Sequence, residues 1–259
     1  MVSLPIPDDL SPIRYADIRW QEYNLGALVS DLTKGRVPAD YLAHLDPDLN
    51  PDSLKRHPDW RPILGQTGPA QGHLRNNGVK SGDLFLFFGL FREVDCIAGT
   101  WRWKNESSPC HVLWGWLQVA EVVTVDDCDR SKFKWAEYHP HFHRGTEKNN
   151  TVYFARRQLK LHGADTKLLP GAGTFASFSE RLQFTAPGAA TPRLWALPRW
   201  FYPRGARYPL TYHERAGRWR RTPGGTELNS VGRGQEFILD ADQFPEVAEW
   251  VATLLVSQK

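Results

Sequence analysis

Apolar and polar positions along the chain resolve first into two β signals. Phe85-Leu86-Phe87-Phe88 is an unbroken apolar run between the polar turn Ser81-Gly82-Asp83 and Gly89, the pattern of a strand buried on both faces. Residues 111–125 form a longer stretch rich in β-branched and aromatic side chains, and Gly115 within it predicts a bend. Val152-Tyr153-Phe154 reads as a further short strand, residues 182–185 and 193–197 as weaker ones, and the apolar residues 2–6 as a strand end. Leu25, Leu28, Val29 and Leu32 keep helical spacing, with Gly35 placed as the residue just past the helix end. Phe244, Val247, Trp250, Val251, Leu254 and Leu255 make one apolar stripe. They predict a helix over about 242–256, capped by Asp242 with Pro245 and Glu246 in its first turn. Residues 40–62, rich in Pro and Asp, predict an irregular surface loop. Neither repeat nor linker interrupts the pattern, so residues 1–259 are expected to form one α+β unit.

The polar residues just before the Phe85 run carry the first hint of chemistry. Gln66, Gln71, His73, Arg75, Asn76 and Asn77 supply donors and acceptors of the kind that pair with planar heterocycle edges. Two geometries stay open. In an extended loop Gln71 and His73 project together, whereas in a short helix over residues 69–77 Ala70 and Leu74 turn inward and Gln71 and Arg75 share an exposed edge.

Composition changes this picture in two places. Eleven Trp residues among 259 are many, and a buried indole N–H needs a partner, so some become candidates for a stacking surface. Between Arg193 and Arg233 nine Arg face only Glu214 and Glu227, although the whole chain is at +3. Such a segment suits a polyanion, with a solvated arginine-rich loop as the alternative. Cys96, Cys110 and Cys128 have no CxxC spacing, so neither a disulfide framework nor a structural zinc site is indicated. No leader-like start and no membrane-length apolar run is seen, and the expectation is a soluble, cytoplasmic protein. Walker, Rossmann and GxSxG patterns are absent, which disfavours ATP, NAD and serine-hydrolase chemistry.

Several blocks together resemble a known family: SLPIPDD, HLDPDL (residues 44–49), GQTGPAQGHLRNNGVKSGDLFLFFGLFR, HVLWGWLQVAEV, HPHFH (139–143), NNTVYFA (149–155), LWALPRWF (194–201) and RGQEFILD (233–240). They are similar to the third type of nucleotide modification associated domain, found in bacteria and phages, over nearly the whole chain. The resemblance implies a part in nucleic-acid base modification, a pathway rather than a mechanism, with DNA or a nucleotide as partner and phage defence as a setting. Members usually carry a strand and a Ser-Arg-Lys-Gly turn upstream of SLPIP, which the resemblance implies is missing here. Residues 74–125 also look like EVE and related PUA-like barrels, which hold a flipped base among aromatic rings. That likeness implies a partly barrel-like sheet with peripheral helices and long loops. It makes Trp101, Trp103, Trp114 and Trp116 candidates for a stacking cage, or for barrel packing.

His44, Asp46 and Asp48 alternate and share one face of an extended chain, where they could bind a divalent ion or act as acid and base; turn and capping chemistry is the plain alternative. His139, His141 and His143 also alternate. A nucleotide or phosphate contact by His139 and His141 is favoured over metal ligation by the pair with Asp46, and the cofactor is left unassigned. Arg92, Arg199 and Arg233 are phosphate candidates, joined by Gln66, Arg75, Asn76, Gln235 and Glu236. Three readings result: an enzyme acting on a nucleobase or nucleotide with His44, Asp46, Asp48, Gln71, His73, His139 and His141 in its pocket; a reader of a modified base; or a protein-interaction module.

Overall fold

A computed structural model describes residues 1–161, 166, 169–232 and 236–256. Near the start, β1 (Ile6–Pro7) is a short strand. A hairpin of β2 (Arg19–Trp20) and β3 (Tyr23–Asn24) leads into helix α1 (Leu25–Thr33). Asn24 caps α1 by accepting from the Ala27 N–H at 3.1 Å, and Leu25, Leu28, Val29 and Leu32 are all buried. The chain leaves the helix through two left-handed residues, Lys34 and then Gly35, so the turn begins one residue before the glycine. Strand β4 (Ala43–His44) runs antiparallel to β1, pairing His44 with Ile6 and Ala43 with Pro7. The rest of the 40–62 segment is irregular apart from a one-turn 3₁₀ helix at Pro51–Ser53.

Next come β5 (Ile63–Gln66) and helix α2 (Gly68–Asn76). They are followed by β6 (Leu84–Phe91), a hairpin of β7 (Val94–Ile97) and β8 (Thr100–Trp103), and the fifteen-residue β9 (Cys110–Thr124). With β10 (Thr151–Ala155) and β11 (Ala172–Thr174) these build a curled, half-barrel sheet ordered β11-β9-β10-β5, with β6 along the other edge of β9. The bend in β9 is a bulge: Phe87 pairs with Gly115 and Phe88 with Leu113, leaving Trp114 over. Gly115 is required for packing as well, since a Cβ there would lie 2.7 Å from Leu49 Cδ1 and 2.9 Å from the Gly173 carbonyl. Strand β6 departs from the expectation of burial on both faces. Leu84, Leu86 and Phe88 face one cluster and Phe85 and Phe87 another, but β9 is its sole strand partner among the described residues, and an edge position leaves its side chains half-buried.

The last part carries a three-stranded sheet of β12 (Leu194–Leu197), β13 (Trp219–Thr222) and β14 (Gly225–Asn229), with β14 central. Helix α3 (Glu246–Val256) buries Val251, Leu254 and Leu255 against the β9 cluster. The helix starts at Glu246, and Asp240 rather than Asp242 organises the preceding turn, accepting from the Asp242 N–H at 3.0 Å and from Gln243 at 2.6 Å. The architecture is α+β, dominated by the curled sheet, with few helices. Among the described residues no helix is long and apolar enough to cross a membrane.

Candidate active centre around Asp46

Strand β5 separates two environments. Ile63 and Gly65 face the cluster that holds Phe142, Val152 and Phe154, whereas Leu64 faces Leu74 and Tyr153. On the Gly65 side three segments meet. The Gly65 N–H donates to Asp46 Oδ1 at 2.8 Å, and a Cβ at Gly65 would sit 2.2 Å from the His141 ring. Only a glycine lets the imidazole lie flat against this strand. His139 and His141 come from a 3₁₀ turn, Pro140–His143, rather than from an extended segment.

Asp46 is the hub of the cluster. His141 Nε2 lies 3.3 Å and His44 Nε2 3.6 Å from its Oδ2, and His139 Nε2 lies 3.4 Å from its Oδ1. His44 and His141 are nearly buried and His139 is wholly so. Burial alone would raise the Asp46 carboxyl, but the imidazoles of His139, His141 and His44 around it outweigh burial and hold the group well below the usual carboxylate range. For His139 burial wins over Asp46 and lowers its pKa, whereas for His44 the Asp46 and Asp8 carboxylates overcome burial and raise it.

Each of the two outer imidazoles is fixed from behind. His44 Nδ1 donates to Asp8 Oδ2 at 2.6 Å, and Arg144 reaches the same oxygen at 3.3 Å. The Asn150 amide is oriented by its Nδ2 donating to the His141 carbonyl at 2.8 Å, so its Oδ1 accepts from His141 Nδ1 at 2.7 Å. Both Nε2 atoms are thereby turned toward Asp46. His44, Asp46 and His141 offer three ligand atoms within 4.8 Å of one another, a set able to hold a metal ion.

Asp48 belongs to a neighbouring network with a different job. It is buried and bound by Arg56 through two nitrogens, at 2.6 and 2.7 Å, and Tyr138 donates to it at 2.5 Å. The Arg56 guanidinium lies over Trp60 at 4.1 Å, and Trp60 Nε1 donates to the Tyr138 hydroxyl at 2.7 Å. A carboxylate this fully paired holds the loop together and has no lone pair to spare for a substrate.

The other expected site residues are not brought to this centre. Gln71 is buried on the far side of β5, accepting from the Tyr153 hydroxyl at 2.8 Å, so in the helix that forms it points inward instead of along an exposed edge. His73 pairs with Thr211 at 3.1 Å and stacks on Tyr212. Gln66 alternates with Gly65 and so faces away from His141. Arg75 donates to Asn149, and Asn76 is exposed at the end of α2. Arg92 is held locally by Ser107 and Lys104, and Arg199 by the Pro223 carbonyl. His143 pairs with the Glu137 carbonyl. Arg233 and Gln235 lie outside the described residues, and Glu236 is half-buried.

The four tryptophans do not form one cage. Trp101 packs with Trp20 and Tyr23 beside α1, and Trp103 donates to the Leu32 carbonyl. Trp114 lies against Phe87, while Trp116, buried, donates to the Pro170 carbonyl and packs on Phe175. The bulge at Trp114 breaks the alternation that would have aligned it with Trp116.

Sequence pattern alone does not mark Asp8, Arg56, Tyr138, Arg144 or Asn150. Asp8 and Asn150 lie in the SLPIPDD and NNTVYFA blocks, so the resemblance contained a signal for them. A cleft of about 560 Å³ lies elsewhere, lined by Asp59, Arg61, Trp135, Arg156, Arg157 and Lys160 among others. No curated protein and no solved structure matches the chain. The sequence model of the nucleotide modification associated domain 3 does match, over residues 1–240. The blocks that build the Asp46 centre, from SLPIPDD to NNTVYFA, all fall inside that span, and the chain belongs to the nucleotide modification associated domain 3 family.

Proposed function

We propose that this chain acts on a nucleobase, or on the nucleotide that carries it, at the Asp46 centre. The observation that carries the reading is one buried carboxylate with three imidazoles at 3.3–3.6 Å, in a chain of a nucleotide-modification family. Carboxylates and imidazoles that perturb one another's proton affinity are the groups that move protons to and from a heterocycle. Substrate phosphates are met by cations near the same sheet face. Arg61, Arg156, Arg157 and Lys160 give the cleft a positive lining against the single acid Asp59. The Arg61 guanidinium sits 5.0 Å from the Phe154 ring, and Phe154 is on the same face of the sheet as Gly65. Arg61 is four residue steps from Gly65, at most roughly 13 Å, so a polyanion in the cleft passes close to the centre. A reader that clamps a base between Trp101, Trp103, Trp114 and Trp116 gains no support from rings dispersed over separate clusters.

The test is mass analysis of nucleosides released from DNA, RNA and free nucleotides after incubation with the protein. A mass shift is expected, with Asp46→Asn abolishing it while nucleic-acid binding survives. An Arg156→Glu/Arg157→Glu double variant is expected to weaken binding and flatten its salt dependence. No shift on any substrate, or a shift that persists in Asp46→Asn, refutes the reading.

A further inference from the structure

Two imidazole Nε2 atoms and a carboxylate oxygen face one another at the Asp46 centre, and with both rings neutral three acceptors do not hold that arrangement unaided. His44 Nδ1 and His141 Nδ1 both spend their protons on Asp8 and Asn150, so the neutral ring of each presents a bare Nε2 to Asp46 Oδ2. The separations, 3.6 and 3.3 Å, exceed the roughly 2.7–2.9 Å of a charge-assisted N–H···O bond. They match a different relationship. Two ligands at about 2.0–2.1 Å from one tetrahedral ion stand about 3.3 Å apart. His139 is an independent sign. It is wholly buried, neither ring nitrogen has a hydrogen-bond partner, and Nε2 points at Asp46 Oδ1 from 3.4 Å. Leaving such a group unpaired costs free energy unless it has a further contact to make.

We propose that His44 Nε2, the Asp46 carboxylate and His141 Nε2 bind one divalent first-row transition ion. Asp8 and Asn150 fix the two imidazoles in the ligating tautomer, as hydrogen-bonded supports do in metal centres. The donor set decides the class of ion: two nitrogens and one carboxylate suit zinc or iron(II), whereas magnesium and calcium call for oxygen shells. Three protein donors leave coordination positions for water and substrate, the mark of a working centre rather than a structural one. His139 lies outside the three mutually close atoms, beside the other carboxylate oxygen. As a catalytic ion the proposal rests on the Asp46 centre being where the base or nucleotide reacts; as a binding site it stands alone.

The experiment uses the full chain, stripped with a chelator and equilibrated separately with Zn²⁺, anaerobic Fe²⁺ and Mg²⁺. Bound metal is then measured by elemental analysis and affinity by calorimetry. One equivalent of Zn²⁺ or Fe²⁺ is expected, with Mg²⁺ much weaker; Zn²⁺ outbinds Fe²⁺ at most such sites, so the ion that supports a nucleoside mass shift, not the tighter one, names the working metal. His141→Ala is expected to lose the site. Asp8→Asn, which keeps all three donors, is expected to weaken it about tenfold, and it carries the test if His141→Ala does not fold. Less than half an equivalent, binding unchanged in both variants, or Mg²⁺ binding as tightly as Zn²⁺ overturns the proposal. One equivalent of bound ion with no change in nucleoside mass defeats the functional reading and leaves the site standing. A mass shift by protein that holds no ion does the reverse.

Discussion

Gly65→Ala is the most direct perturbation of the centre. A methyl group there would lie 2.2 Å from His141 Cδ2 and 2.4 Å from both Cγ and Nε2. Non-bonded carbons rest at about 3.5–4.0 Å, so the ring has to retreat by more than about 1 Å. Gly65 is not among the residues with positive φ, so alanine meets no backbone objection and the cost is steric. Overpacking of this kind costs about 1–3 kcal/mol. Retreat also stretches the 2.7 Å bond to Asn150 and carries Nε2 away from Asp46. The magnitude can be isolated in a double-mutant cycle measured by urea unfolding. In a His141→Ala background the obstacle is gone, and Gly65→Ala should then cost nothing, or stabilise by up to about 1 kcal/mol through the lower chain entropy of alanine. The expected coupling is therefore about 1–4 kcal/mol. A single variant within about 0.5 kcal/mol of wild type, or an equal cost in both backgrounds, would show that the His141 ring does not lie against this strand.

Three further outcomes follow from neighbouring features. Asp48→Ala strands the Arg56 guanidinium and the Tyr138 hydroxyl in a buried setting, and should cost about 3–5 kcal/mol in chemical denaturation, marking Asp48 as a stabilising residue. Trp116→Ala should destabilise by about 3–5 kcal/mol yet leave nucleic-acid affinity in a fluorescence titration unchanged, since its ring is packed against Phe175. Buried His213 donates from Nδ1 to the Thr211 carbonyl and accepts the Val231 N–H at Nε2, and burial, against the Thr211 bond, lowers its pKa from 6.5. Its contribution is complete above pH 6.5 and is lost as pH falls below that toward the depressed folded value. Unfolding curves over this range should show a stability slope that His213→Gln reduces; an unchanged slope refutes the assignment.

Much of the fold was legible because it rests on local pattern. The Phe85 run and the long strand with its bend near Gly115 form where the pattern marks them, the α1 spacing buries its marked residues, and the α3 stripe buries Val251, Leu254 and Leu255. Misreadings arose where a neighbour, not the segment itself, decides the outcome. The edge position of β6 depends on what fails to pair with it. The inward turn of Gln71 depends on a tyrosine on a strand 82 residues away. The dispersal of the tryptophans depends on a bulge whose register is set jointly by β6 and β9.

Alternation marked residues that meet at the Asp46 centre for a reason that holds only in part. His44 and Asp46 alternate in the sequence and do converge, but Asp48 continues the same alternation and is turned away by Arg56. His139 and His141 alternate as well, yet they converge through a 3₁₀ turn in which two-residue spacing does not mean a shared face. What joins the two segments is pairing at long range. The β1–β4 register sets Ile6 opposite His44 and so delivers Asp8 to its imidazole, 36 residues on. The β5–β10 register sets Val152 opposite Gly65 and Thr151 opposite Gln66, which leaves Asn150 just beyond the paired residues, where it meets the His141 ring. The two hydrogen-bonding supports are thus products of sheet register, and the imidazoles they steer are aimed at Asp46 only once both sheets have formed. A donor set assembled this way depends on the whole fold, which is why a single methyl on β5 is expected to disturb it as much as loss of one of its own ligands.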